Sequence, residues 1–180
     1  MLNTHAVVKQ FINAGFTESQ AIICLLGKQV AGLEASETLK MLTGSIAGDA
    51  PYFDLQEEIR LQKTIIRLIR EGIIFSAHDC SEGGLATAIC ESAIASEIGA
   101  TIHLPFEENA DHLFGEAQSR IIISVSKDKL ELCQQIAVEM NVPCIPIGIT
   151  GGNDIHFDSC TLSIKEAKEA FTHTLHNIMS

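Results

Sequence analysis

The sequence predicts an α/β (α+β) fold: one domain built on a mixed sheet flanked by helices. Three observations carry this. A continuous apolar run of strand length, Ala21–Leu26, and a mostly apolar one, Ile73–Ala77, fit strands buried on both faces. Segments of helical period separate the runs, and two strand–helix–strand passages with strands of unequal length imply a mixed sheet. Apolar residues make up 46% and charged residues 19% of 180 positions, the composition of a globular chain with a sizeable core.

In order along the chain, Thr4–Ala14 reads as a short amphipathic helix ended by Gly15, and Ala21–Leu26 as a strand closed by Gly27. Residues 27–54 are loop-like, interrupted by a short helix over Ser36–Leu42 with Ser36 as N-cap. Asp54 caps a helix running to about Glu71, whose apolar positions Leu55, Ile59, Leu61, Ile65, Ile66, Leu68 and Ile69 fall mainly on one face, with Gly72 as its stop. Ile73–Ala77 is the next strand. The turn His78–Gly84 leads into a helix over Leu85–Ser96, and Ala100–Leu104 alternates like a strand. Pro105–Gly115 is an acidic connection. Arg120–Ser126 is a strand, Lys127–Met140 a helix and Cys144–Gly148 a strand. Gly151-Gly152 turns the chain into Asp154–Phe157, and Ser163 caps a last helix to about Met179.

Twelve Lys and Arg stand against 23 Asp and Glu, a formal net charge of −11. Such a surface repels phosphate backbones and anionic lipid, so neither a nucleic acid nor a membrane is expected as partner. No apolar run approaches the roughly 20 residues of a membrane helix. Six cysteines at 24, 80, 90, 133, 144 and 160 form no C-x-x-C pair and read as reduced, mostly buried side chains, which suggests the cytoplasm.

Two motifs hold candidate chemistry. In Ser76-Ala77-His78-Asp79-Cys80-Ser81-Glu82-Gly83-Gly84-Leu85 a strand delivers the chain to a turn whose glycines permit close backbone approach before a helix. The N–H groups at that helix start suit a phosphate, Asp79 is a hard oxygen ligand for Mg²⁺, and Ser81 can donate to a phosphate oxygen. The same residues also serve a plain structural end, with Asp79 or Ser81 as a cap and Gly83 and Gly84 for tight packing. The spacing is neither a Walker loop nor a dinucleotide fingerprint. In the second motif, Glu116, Gln118 and Arg120 alternate before a buried strand, so extended backbone would put them on one face, able to hold a sugar phosphate. An Arg–Glu surface pair on an edge is the plainer account of their pattern.

Taken together and in this order, these motifs resemble the last domain of phosphoribosylformylglycinamidine synthase in its small bacterial form, within the aminoimidazole ribonucleotide synthetase-like superfamily. Ala86–Ala95, Ile98-Gly99-Ala100, Leu113–Arg120, Ile147-Gly148, Gly151-Gly152 and the terminal helix extend the likeness over residues 20–180, leaving 1–19 as an N-terminal segment. The resemblance implies a three-layer α/β/α sandwich with a mixed sheet. It further implies an ATP-dependent carbon–nitrogen ligase of purine biosynthesis that converts formylglycinamide ribonucleotide and glutamine-derived ammonia to the amidine.

Partners implied are the N-terminal synthetase domains missing from this chain, a glutaminase subunit and a small bridging subunit. The family's catalytic His lies in the absent first half, so no catalytic residue is assigned here and the fragment alone is expected to be inactive. In large forms of the enzyme, residues matching Asp79 and Ser81 contact the Mg²⁺ and phosphates of a non-turnover nucleotide, which implies ATP or ADP with Mg²⁺ at Asp79, Ser81, Gly83 and Gly84. Glu116, Gln118 and Arg120 match a ribonucleotide-binding stretch of the first C-domain. Ala117 replaces a serine there and points to a structural pseudo-site. Leu33–Glu37 departs from the family's Gly-Gly-Ser-Glu-Tyr, which alters a loop and not the core. The alternative is a free-standing, non-catalytic binding or assembly module of the same fold. Either way an isolated domain exposes apolar surface, and a homodimer is expected.

Overall fold

The computed structural model describes residues 11–29 and 31–179, with side chains through residue 172. Its elements follow as β1 (Ile22–Gly27), α1 (Glu37–Thr43), α2 (Leu55–Arg70), β2 (Ile74–Asp79), α3 (Gly84–Ser96), β3 (Ala100–Ile102) and α4 (Ala110–Phe114). Then come β4 (Arg120–Val125), α5 (Leu130–Glu139), β5 (Cys144–Thr150), β6 (Asp154–His156), β7 (Thr161–Ser163) and α6 (Ile164–Met179). One seven-stranded sheet runs β2-β4-β1-β5-β3-β6-β7. Its pairs are antiparallel except β3 with β6, so the sheet is mixed.

β1 explains the layering. It lies between β4 and β5, with Leu25 opposite Ile122 and Ile145. A central strand covered on both faces has no polar side, which is why its run is continuously apolar. Ile23 and Leu25 enter a core shared with α3, Leu113 of α4 and the start of α6. Cys24 and Leu26 enter a second core under α2 and α5. The expected three-layer sandwich is therefore the observed architecture.

Caps set the helix starts. Ser36 Oγ accepts from Leu39 N at 3.1 Å, and Asp54 Oδ1 accepts from Gln56 N at 2.7 Å. In α2, Leu61, Thr64 and Leu68 are buried. Leu55 and Ile66, expected on the apolar face, are exposed, so the buried stripe is narrower than the sequence pattern.

Several boundaries differ from expectation. β2 continues to Asp79, because backbone pairing with β4 carries His78 and Asp79 into the strand. Pro105–Gly115 contains the short helix α4, capped by Asn109 Oδ1 accepting from His112 N at 3.0 Å. β7 precedes the last helix; at three residues it is too short for a periodic signal. The helix expected over Thr4–Ala14 lies mostly outside the described residues. At its described end, Asn13 forms a parallel bridge to Ser76, and Asn13 O accepts from Ala77 N at 3.0 Å. Phe16, further along the same segment, is 1% exposed in the first core.

Candidate functional site

Antiparallel pairing of β2 with β4 sets the C-terminal end of β2 beside the start of β4, with Asp79 opposite Ile121. Cys80 N donates to Arg120 O at 3.0 Å just beyond the ladder. The two motifs, some 35 residues apart in sequence, thereby meet. Between them lies a cleft of about 380 Å³ lined by Asp79 and Ser81 on one side and by Glu116, Gln118 and Arg120 on the other. Glu58 of α2 and Pro51 of the preceding loop complete it. Sequence reasoning missed both, since only the tertiary fold brings that loop and helix here.

Asp79 is exposed and accepts a hydrogen bond from Ser81 Oγ, which holds its carboxyl below the ordinary carboxylate range. An ionised aspartate beside a hydroxyl is a hard donor set. It suits Mg²⁺, which characteristically takes one or two carboxylates and completes its shell with phosphate and water. Among the described residues no three His, Cys, Asp or Glu side chains converge as a metal cage, so these side chains alone do not complete a metal's shell. His78 faces acceptors from both ring nitrogens, with Asp79 O 2.8 Å from Nδ1 and Glu91 Oε2 3.2 Å from Nε2.

The two glycines have separate explanations. Gly84, at φ +67°, lies so close to the α4 end that an added Cβ would stand 2.6 Å from Gly115 O. The close approach is to the chain's own backbone. Gly83 is left-handed at φ +76°, and its N–H donates to Glu116 Oε1 at 2.8 Å. Gly84 N donates to Ser81 O at 3.1 Å. An anion reaching this turn meets a backbone N–H already held by a carboxylate.

Arg120 is 2% exposed and forms no surface pair with Glu116. Its Nη1 donates to Gly115 O at 3.0 Å and its Nη2 to His112 O at 3.4 Å, while Nε has no partner. Burial lowers the guanidinium pKa and pushes the neighbouring Cys80 thiol up to about 11. Ser119, at φ +64°, breaks the extended backbone on which alternation was expected, and its Oγ donates to Glu58 Oε2 at 2.7 Å. Gln118 is exposed at the rim.

The family described as AIR synthase related protein, C-terminal domain, matches residues 19–157. The chain belongs to this family. The PurL subunit of phosphoribosylformylglycinamidine synthase from Caldanaerobacter subterraneus subsp. tengcongensis is 41% identical over 152 residues, covering 84% of this chain and 21% of the relative. The chain thus spans about a fifth of the length of the relatives it matches. Among solved structures, phosphoribosylformylglycinamidine synthase II from Thermotoga maritima superposes with TM-score 0.73 at 18% identity, covering 89% of this chain and 28% of that one. T. maritima PurL complexed with ADP gives 0.73 at 16% identity, covering 89% and 27%. Both carry the same fold. Past the matched stretch of the AIR synthase related domain, β7 pairs with β6 and α6 packs on α3, so residues 158–179 complete the same sheet and layer.

Proposed function

We propose that this chain is the C-terminal domain, over residues 20–180, of an ATP-dependent carbon–nitrogen ligase of the PurL kind. The whole protein would convert formylglycinamide ribonucleotide, ATP and ammonia to the amidine in purine biosynthesis, with a glutaminase and a small bridging subunit as partners. The observation that carries this reading is the meeting of Asp79 and Ser81 with Glu116, Gln118 and Arg120 across one cleft. The 41% identity to a PurL subunit supports the assignment of activity.

The cleft's role follows from its groups. Asp79 would hold a Mg²⁺ ion, Ser81 would donate to a phosphate oxygen, and the turn at Gly83-Gly84 would face the phosphates. The metal would supply charge neutralisation to a bound ATP or ADP. Glu116 and Arg120 are engaged with the chain's own backbone, which favours a structural role for the sugar-phosphate half of the site. The catalytic centre would lie on other domains, and this domain would be inactive alone.

Docking to those domains has a candidate surface. Met41, Leu42, Ile46, Tyr52, Phe53 and Leu55 are all exposed between α1 and the start of α2, next to the cleft wall at Pro51. Large apolar side chains clustered in so short a stretch mark a contact surface. In isolation the same surface would drive a homodimer.

Calorimetric titration of the chain with ADP and Mg²⁺, beside an Asp79→Ala variant, tests the nucleotide site. Saturable binding lost in the variant is expected. Equal binding by the variant would remove Asp79 from a nucleotide role, and no binding by either protein would mean that the site needs the absent domains or is purely structural. A native protein of 19.5 kDa, with no larger species carrying this sequence, would instead favour a free-standing module.

A further inference from the structure

All six cysteines are free thiols, but they do not share one environment. The sheet divides them. Cys24 and Cys133 are buried in the core under α2 and α5, and the half-buried Cys144 packs against the same core. On the other side, Cys80 is buried within the α3 core and Cys90, on α3 itself, is half-buried against it. Cys160 alone is exposed, in the turn between β6 and β7.

Of the other five, only Cys90 stands with it. A largely apolar cleft of about 420 Å³, bounded by α3, α6 and the β6–β7 turn, is lined by Cys90 and Cys160 and by none of the remaining cysteines. Residues on either side of Cys160 seat the turn over α3: Phe157 is buried in the α3 core and Leu162 packs against it. Phe157 N donates to Cys160 O at 2.8 Å, which closes the turn between them. Burial, and after it the nearby Cys160 sulfur, push the Cys90 thiol up to about 11.

We propose that Cys90 and Cys160 close to a reversible disulfide when the chain meets a low-molecular-weight disulfide. Exposure sets the order of events. The Cys160 thiolate attacks one sulfur of the small disulfide; a mixed disulfide forms, the small molecule's S–S bond breaks, and one thiolate leaves to take up the proton that Cys160 lost. The Cys90 sulfur then attacks the Cys160 sulfur. The Cys90–Cys160 bond forms, the mixed disulfide breaks, and the second small thiolate leaves to take up the Cys90 proton. Two protein thiols are oxidised and one small disulfide is reduced to two thiols. Burial of Cys90 disfavours its thiolate, which makes it the second nucleophile and not the first. The bond spans the cleft and ties the β6–β7 turn to α3. This inference does not depend on the nucleotide reading.

The test is incubation of the 180-residue chain with oxidised glutathione, followed by intact mass and by peptide mapping without reduction. The expected product is lighter by two hydrogens, carries no glutathione, and yields the Cys90 and Cys160 peptides joined to each other. Dithiothreitol should restore the starting mass. Cys90→Ser should stop after the first step and hold glutathione on Cys160, whereas Cys160→Ser, a change at an exposed position, should take up none and form no crosslink. The proposal is overturned if the wild type accumulates glutathione on Cys160 without joining it to Cys90, which would mean that the two sulfurs do not meet. It is equally overturned if Cys160→Ser reacts as the wild type does, or if the crosslink joins other cysteines.

Discussion

Glu116 Oε1 accepts hydrogen bonds from Gly83 N at 2.8 Å and from Glu37 N at 3.0 Å. One carboxylate oxygen therefore ties the turn before α3 to the first turn of α1. It also stands where an external anion at that turn would bind. Glu116→Ala should leave both amides without this acceptor and cost about 1–3 kcal/mol, read as a lower urea midpoint. Inorganic phosphate should then raise the melting temperature of Glu116→Ala more than that of the wild type. Equal response of the two proteins would mean that Glu116 does not occupy an anion position.

Asp79 and Ser81 form a pair whose pH behaviour has a definite sign. The Ser81 hydroxyl stabilises the ionised carboxylate, so the folded pKa lies below the unfolded one. The stabilisation is present above the ordinary carboxylate range and is lost as pH falls through the lowered folded value. Ser81→Ala should move the Asp79 titration back up toward its ordinary value, followed by carboxyl carbon shifts. The stability difference between Ser81→Ala and the wild type should shrink on acidification. A gap that widened toward low pH would show that Ser81 acts through something other than this bond.

Arg120 is buried and bonds two carbonyls of the α4 end, Gly115 O and His112 O. Hydrogen bonds to charged groups contribute about 1.5–3 kcal/mol each when broken from one side, so Arg120→Met should be among the costlier substitutions at the cleft. Because the guanidinium is shielded from solvent, that loss should change little between low and high salt. A loss that disappeared in high salt would place Arg120's contribution in long-range surface charge.

Much of this architecture was legible because local sequence and tertiary position agree. β1 reads as a doubly buried strand from Ile23, Cys24, Leu25 and Leu26 alone, since both faces meet helices. Ser36 and Asp54 announce their helices through cap chemistry that operates within three residues. The legible part stops where a feature depends on pairing distant in sequence. Nothing in the Asp79 or Arg120 motifs states that β2 and β4 are neighbours, yet that pairing makes the cleft. β7 forms because β6 offers it an edge, and Gln29, Glu57 and Arg60 line one cleft only because α2 packs against β1. Glu116, read as a ligand-facing carboxylate, is engaged by backbone amides, a contact between residues 33 positions apart that no spacing rule encodes.

Gly84 and Gly44 separate backbone strain from close packing. Both hold left-handed φ, +67° and +78°, where an L side chain costs about 1–2 kcal/mol. An added Cβ at Gly44 meets nothing within 4 Å, so Gly44→Ala should lose only that strain. At Gly84 the same atom would lie 2.6 Å from Gly115 O and 2.8 Å from Phe114 C, both backbone atoms that cannot rotate away. Gly84→Ala should therefore lose clearly more than Gly44→Ala in denaturant unfolding. It should also displace the carbonyl that receives Arg120 Nη1, visible as a shift of the Arg120 side-chain resonances that Gly44→Ala leaves unmoved. Equal losses at the two sites would mean that the α4 end gives way freely, and that the second glycine of the turn is kept for its conformation alone.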